Sequence, residues 1–271
     1  TILRNTEMGD PEYQERYGFK IVRTEIVNHH SKRGDSISGV GEYQELVVGT
    51  NTMPGDDWIK AWTFCWMTGL IYFNKLLQIP IITLHEYYGV PYDRVLEAFT
   101  GQLNNSKEMP IISEINKFFT DLASEMQAGR TVEYVHSKDW LDIWWPPEEY
   151  IFIKLCIENK LDDFYREAER LMMQFVSSDK STGLLTDSLK LNRSLIKLPF
   201  QTEDLTLDLN HNIWDVYRSV LVDGAADYRP GHYSYLIDRT SEKWDSWDEW
   251  CQNMVWYSNR RGAYLYGNKN P

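Results

Sequence analysis

The hydrophobic pattern is clearest after Asp56, where Ile59, Trp62, Trp66, Leu70, Phe73 and Leu77 fall on one helical stripe while Phe64, Cys65, Ile71 and Tyr72 cover the other side. A helix apolar on both sides predicts a central position in the core. Pro80 is expected to interrupt it. A second helix then covers residues 81–88 and ends at Gly89, and Pro91 opens a third that runs to about Thr100. Residues 110–126 give a fourth, opened by Pro110 and closed by Gly129. The short spacers predict an antiparallel helical bundle.

Before this block the period differs. Asp10-Pro11-Glu12 followed by Gly18 predicts a short helix with Asp10 as N-cap, Pro11 in the first turn and a glycine stop. Residues 19–27 alternate weakly like a strand, residues 29–41 are polar and glycine-rich as in a mobile loop, and residues 43–48 read as a second strand. The two strands are expected to pair or to join a sheet further upstream. Later, Trp140, Trp144 and Trp145 precede Pro146-Pro147-Glu148-Glu149, where proline and acidic residues favour a helix start. That helix continues through Tyr150 to Ile157, and residues 161–176 form an amphipathic helix. Ser246-Trp247-Asp248-Glu249 is a capping box for a helix to about Tyr257, broken by Arg260-Arg261-Gly262 ahead of residues 263–266. The expected fold is mainly α: an antiparallel helical domain, residues 56–271, with a few short strands near the N-terminus and C-terminus, preceded by a segment of mixed structure, residues 1–55.

A length of 271 residues allows one large or two small domains at about 150 residues each. Hydrophobic residues make up 42% and charged residues 25%, an ordinary globular balance that excludes disorder for most of the chain; the 14% aromatic content, with 11 Trp and 17 Tyr, is high. With 28 basic against 40 acidic residues the net charge is -12, which repels a phosphate backbone, so no nucleic acid partner is expected. Cys65, Cys156 and Cys251 stand 91 and 95 residues apart, too few for a disulfide framework and too scattered for a local zinc or iron-sulfur motif. A reducing, cytoplasmic setting is expected. The uncharged run at residues 61–73 is shorter than the roughly 18 to 20 residues of a membrane span, so it reads as a core helix and no membrane contact is expected. Thr1-Ile2-Leu3-Arg4-Asn5 has no initiator Met and no apolar signal core, and reads as a cut inside a longer chain.

The familiar catalytic motifs are incomplete. His85-Glu86 is followed by Gly89 where a zinc-protease helix needs its second His, and Gly39-Val40-Gly41 by Gln44 where a dinucleotide loop needs its third Gly. His29-His30 lies in a polar loop with no nearby carboxylate cluster and reads as exposed rather than metal-binding or proton-shuttling. His136, His211 and His232 read as isolated. Asp56-Asp57 is best explained by helix capping and Asp162-Asp163 by a solvated helix face. The stripes Trp58, Trp62, Trp66 and Trp140, Trp144, Trp145 suit core packing before a ligand pocket. The sequons at Asn104-Asn105-Ser106 and Asn192-Arg193-Ser194 carry no weight without a secretory signal.

Three stretches together resemble the region after the barrel in cobalamin-binding radical S-adenosylmethionine enzymes. Asn5-Thr6-Glu7-Met8-Gly9-Asp10-Pro11-Glu12-Tyr13 through Tyr17-Gly18 is similar to the family's junction Asn-Ser/Ala-Pro-Met-x-Asp-Pro-x-Tyr…Tyr/His-Gly, with Glu7 in place of its Pro. Tyr43 to Met53, followed by Asp57-Trp58, is similar to the family's strand, Ser/Thr-rich turn and Asp/Glu-Trp helix start. Val255-Trp256-Tyr257-Ser258-Asn259-Arg260-Arg261-Gly262 resembles its ending. The family's Cys-x3-Cys-x2-Cys and Asp-x-His-x-x-Gly signatures are absent from this sequence, so the chain on its own cannot hold the radical-forming cluster.

The resemblance implies a C-terminal segment that packs on the barrel mouth and encloses the substrate, with residues 1–55 as the junction. It implies that a 4Fe-4S cluster, S-adenosylmethionine and cobalamin lie in upstream domains of the same chain, with no cofactor and no catalytic or metal-ligating residue here. Its candidate substrate or domain contacts are Asn5, Met8, Thr50, Asn51, Thr52, Met53 and Trp58. The other reading is an independent helical protein-binding or scaffold domain. Substrate, oligomeric state and the choice between methyl transfer and ring formation are open at this point.

Overall fold

Asp10 and Gly18 bracket the first helix, α1 (Pro11–Tyr17): the Asp10 carboxylate accepts from the Glu12 amide at 2.9 Å, and Gly18 takes the left-handed conformation, φ 62°, that ends it. A computed structural model describes residues 1–32, 41–101, 107–178 and 180–257. β1 (Lys20–Glu25) pairs antiparallel with β2 (Tyr43–Gly49). Val22 opposite Leu46 faces the helices, and Arg23 stacks on Tyr43 at 4.4 Å on the outer face. Most of the expected glycine-rich loop falls on residues 33–40, outside the described residues.

The apolar segment forms α2 (Gly55–Thr68) and runs on as a π-helical turn, Gly69–Phe73, whose widened pitch shows in the Asn74 amide donating to the Gly69 carbonyl at 2.7 Å. α3 (Gln78–Glu86) turns away from it by 92°. Pro80 does not interrupt a helix. It occupies the first turn of α3, where a missing N–H costs no helical hydrogen bond. There follow α4 (Tyr92–Thr100), α5 (Pro110–Gln127), β3 (Val135–Ser137), β4 (Ile143–Trp145), α6 (Pro147–Ile157) and α7 (Leu161–Met173). The remainder is α8 (Gly183–Ser194), β5 (Leu205–His211), α9 (Ile213–Val220), β6 (Pro230–Ile237), α10 (Trp247–Trp250) and a second π-helical segment, Cys251–Tyr257.

The expectation of a mainly α, antiparallel helical domain with strands only near its ends is corrected. The fold is mixed α and β: among the described residues ten helices accompany six strands in three separate two-stranded antiparallel sheets, one of them in the middle of the chain. The physical reason is a period of two in short stretches that the helical stripes overshadow. Ile143 and Trp145 are buried on either side of half-exposed Trp144, and Leu207 and Leu209 are buried between exposed Thr206, Asp208 and Asn210. A two-stranded ribbon is not stable alone, and each contributes buried side chains to the common core. The sharp turn between α2 and α3 likewise rules out a simple up-and-down bundle.

Trp66, Phe119, Trp145, Phe152, Phe164 and Trp250 belong to one continuous buried cluster. No single helix among the described residues is long and apolar enough to cross a membrane. The first sequon, the end of the third resembling stretch and residues 263–266 lie outside the described residues.

Candidate functional site

The turn Thr50-Asn51-Thr52-Met53 is closed from within. Thr50 Oγ1 accepts from the Met53 amide at 3.0 Å, and the Thr50 amide donates to the Met53 carbonyl at 2.9 Å. Asn51 docks the turn on the end of α1: its amide donates to the Tyr17 carbonyl at 2.9 Å and its Nδ2 to the Arg16 carbonyl at 3.3 Å. Residue 18 must be glycine for this approach, because a Cβ there would stand 2.0 Å from Asn51 Oδ1. Met8 is tied to the same helix by Gln14 Nε2, which donates to the Met8 carbonyl at 2.8 Å. Asn5, Met8, Asn51, Thr52 and Met53 are exposed in this N-terminal layer, with Thr50 half-buried among them. Trp58 is buried in the core beside Trp62, ring centroids 5.6 Å apart.

A cleft of about 900 Å³ opens elsewhere, and its wall contains residues that the sequence reading set aside. α2 contributes Trp62, Cys65, Trp66 and Thr68; the π turn and the residue after it add Gly69, Phe73 and Asn74. Across from them stand His29 and His30, the pair Glu133-Tyr134, and Glu148-Glu149 at the start of α6, with Trp256 from the second π segment. Both π-helical segments of the described chain therefore deliver side chains to this one space, a placement common for such turns.

The cleft is built by pairing at long sequence range. The chain after β1 runs along β4: the His30 amide donates to the Trp144 carbonyl at 2.6 Å, and the Trp144 amide to Ser31 at 3.0 Å. His30 sits in the left-handed region, φ 60°, and its Nε2 donates to Glu149 Oε2 at 2.7 Å, both side chains about nine-tenths buried. Its ring packs against Trp145 at 5.1 Å and Trp256 at 5.6 Å. Adjacent histidines without a carboxylate in the sequence thus acquire one in space. Three further histidines are not isolated either: His136, His211 and His232 lie 3.1, 2.7 and 3.8 Å from Asp142, Asp187 and Asp208.

Glu148 crosses over Gly69, where a Cβ would meet its Cγ at 3.2 Å. Burial pushes the Glu148 carboxyl up to about 7, the Glu149 charge adds to the shift, and its own backbone amide opposes it. Burial, with Glu133 and Glu148 nearby, raises the Tyr134 phenol to about 12. Thr68 Oγ1 and Asn74 Nδ2, both on this wall, are buried without a hydrogen-bond partner among the described residues. The arrangement offers aromatic faces, carboxyl groups and unmet hydrogen bonds to a small molecule. Of the acidic pairs Asp56-Asp57 and Asp162-Asp163, by contrast, Asp57 is engaged by Lys60 at 2.9 Å and Asp162 by Arg193 at 2.7 Å.

No group of three His, Cys, Asp or Glu side chains among the described residues is placed to hold a metal ion. Burial pushes all three thiols up, most strongly at Cys156 and Cys251, which disfavours the thiolate that iron requires.

The chain bears a distant similarity to cobalamin-dependent radical SAM methyltransferases. One such relative is the cobalamin-dependent radical SAM methyltransferase TokK of Streptomyces tokunonensis, 28% identical over 105 residues. The aligned part is 37% of this chain and spans 15% of the length of that protein. No family model matches the chain.

Proposed function

We propose that this chain is the C-terminal, substrate-enclosing domain of a cobalamin-dependent radical S-adenosylmethionine enzyme. The 4Fe-4S cluster, S-adenosylmethionine and cobalamin belong to upstream domains of the same polypeptide. The observation that carries this reading is the aromatic cleft between α2, α6 and the His29-His30 segment, in a chain distantly similar to such an enzyme. A wall of this kind shields a reactive intermediate from water and side reactions. Residues 1–55 form the junction. Seven of the thirteen exposed large apolar side chains among the described residues lie there, Leu3, Met8, Tyr17, Tyr43 and Met53 among them, which suits a face that packs on the upstream domains. Asn5 and the turn Thr50-Asn51-Thr52-Met53 border that face as its contacts, while Trp58 supports it from the core.

Anaerobic reconstitution with iron and sulfide tests the division of labour. The 271-residue chain should show no charge-transfer absorbance and no S-adenosylmethionine cleavage. The product of the reading frame extended upstream of Thr1 should contain Cys-x3-Cys-x2-Cys and show both. A stoichiometric cluster on the 271-residue chain, or a start codon directly before Thr1, would contradict the reading.

A further inference from the structure

We infer that the cleft between α2 and α6 binds an organic cation, an ammonium group carried on an apolar body. The inference rests on the reading of this cleft as a ligand site and names the class of molecule it takes. Its described wall carries three carboxyl groups, Glu133, Glu148 and Glu149, and no lysine or arginine. Glu149 is engaged by His30 at 2.7 Å. Glu148 lies over Gly69, and no cationic side chain among the described residues acts on its carboxyl. Around these carboxyls stand the rings of Trp62, Trp66, Phe73, Tyr134 and Trp256, whose electron-rich faces attract cations once water is displaced. Trp62 and Trp66 are packed 5.1 Å apart, so this part of the wall is preformed.

Two further observations point to a missing occupant. The buried Asn74 amide donor and Thr68 hydroxyl on the same wall have no partner among the described residues, and a ligand oxygen beside the cation would give the amide one. Burial also holds the Glu148 carboxyl at about 7, so part of its anionic charge is withheld near neutral pH until a cation arrives. The groups facing it are Glu149 on α6, Cys65 on α2, Glu133 and Tyr134 ahead of β3, and the His29-His30 pair. Ionisation of Glu148 adds negative charge as pH rises, so a permanent cation should bind more tightly at pH 8 than at pH 6. By linkage the bound cation should lower the Glu148 pKa.

Calorimetric titration of the 271-residue chain with choline tests this, using the neutral isostere 3,3-dimethylbutan-1-ol and the anion phenylacetate as comparisons. Choline should bind at least about tenfold more tightly than the isostere, phenylacetate should bind weakest, and choline affinity should rise from pH 6 to pH 8. Glu148→Gln should bring choline down towards the isostere and flatten the rise in affinity between pH 6 and pH 8, with thermal unfolding confirming that the variant folds. Equal affinity for choline and the isostere, preference for phenylacetate, or no choline binding by the wild-type chain at millimolar concentration would overturn the inference. No cofactor or upstream domain enters the titration, so its failure leaves the outcome of the cluster reconstitution untouched.

Discussion

Trp66→Ala should destabilise the chain by about 3 to 5 kcal/mol, the usual cost of truncating a large buried aromatic. Trp66 is 5% exposed and holds two elements together: its ring packs on Trp62 at 5.1 Å within α2 and on Phe119 of α5 at 5.9 Å. Neighbours on two rigid helices cannot collapse fully into the space, so a cavity term adds to the lost burial. A typical domain has about 5 to 15 kcal/mol in all, and the melting temperature should fall by roughly 6 to 20 °C. Thermal unfolding by circular dichroism reads this directly. A shift of a degree or two would mean that α2 is not central.

Asn192→Leu should be comparably damaging although it replaces one buried side chain by another of similar size. Asn192 is completely buried on α8. Its Oδ1 accepts from the Ile79 amide at 3.0 Å, in the first turn of α3 where helical amides have no partner of their own. Its Nδ2 donates to the Lys75 and Leu76 carbonyls at 3.0 Å and to Tyr165 Oη at 2.8 Å, while the Tyr165 hydroxyl donates to Leu76. Leucine would strand the Ile79 donor and the Lys75 acceptor in the interior at about 1 to 3 kcal/mol each, giving about 3 kcal/mol or more. Urea unfolding should show the loss, and Tyr165→Phe, which removes only one member of the network, should cost about 1 kcal/mol. Equal costs for the two substitutions would contradict the role of Asn192 as the common hub. The same burial explains why the sequon at this asparagine has no bearing on glycosylation.

Elements whose start and stop signals are local were legible in the sequence. Asp10 and Gly18 bound α1, Pro110 and Pro147 open α5 and α6, and Ser246 caps α10 through the Glu249 amide at 3.1 Å. Where the signal comes from a distant residue, it was not. The amides opening α5 are bound by buried Glu167 on α7, Ile111 at 3.1 Å and Ile112 at 2.9 Å, and α3 depends on Asn192. Residues 183–237 mix short helices with strands, and neither period persists long enough to stand out.

The cleft was hidden for the same reason. His30 and Glu149 are 119 residues apart, and Glu148-Glu149 already had a sufficient explanation as acids in the first turn of a helix. One local sign did exist. Gly69 interrupts an otherwise bulky apolar helix, and a glycine in that position marks a close approach, here by Glu148.

A structure of the enzyme encoded by the complete reading frame, with S-adenosylmethionine bound, tests the central claim most directly. The cleft should open onto the cofactor across an enclosed chamber, with Phe73 and Glu148 facing it and the outer face of β1 and β2 covered by the upstream domains. A cleft that opens to bulk solvent on the side away from the cofactor would contradict the account.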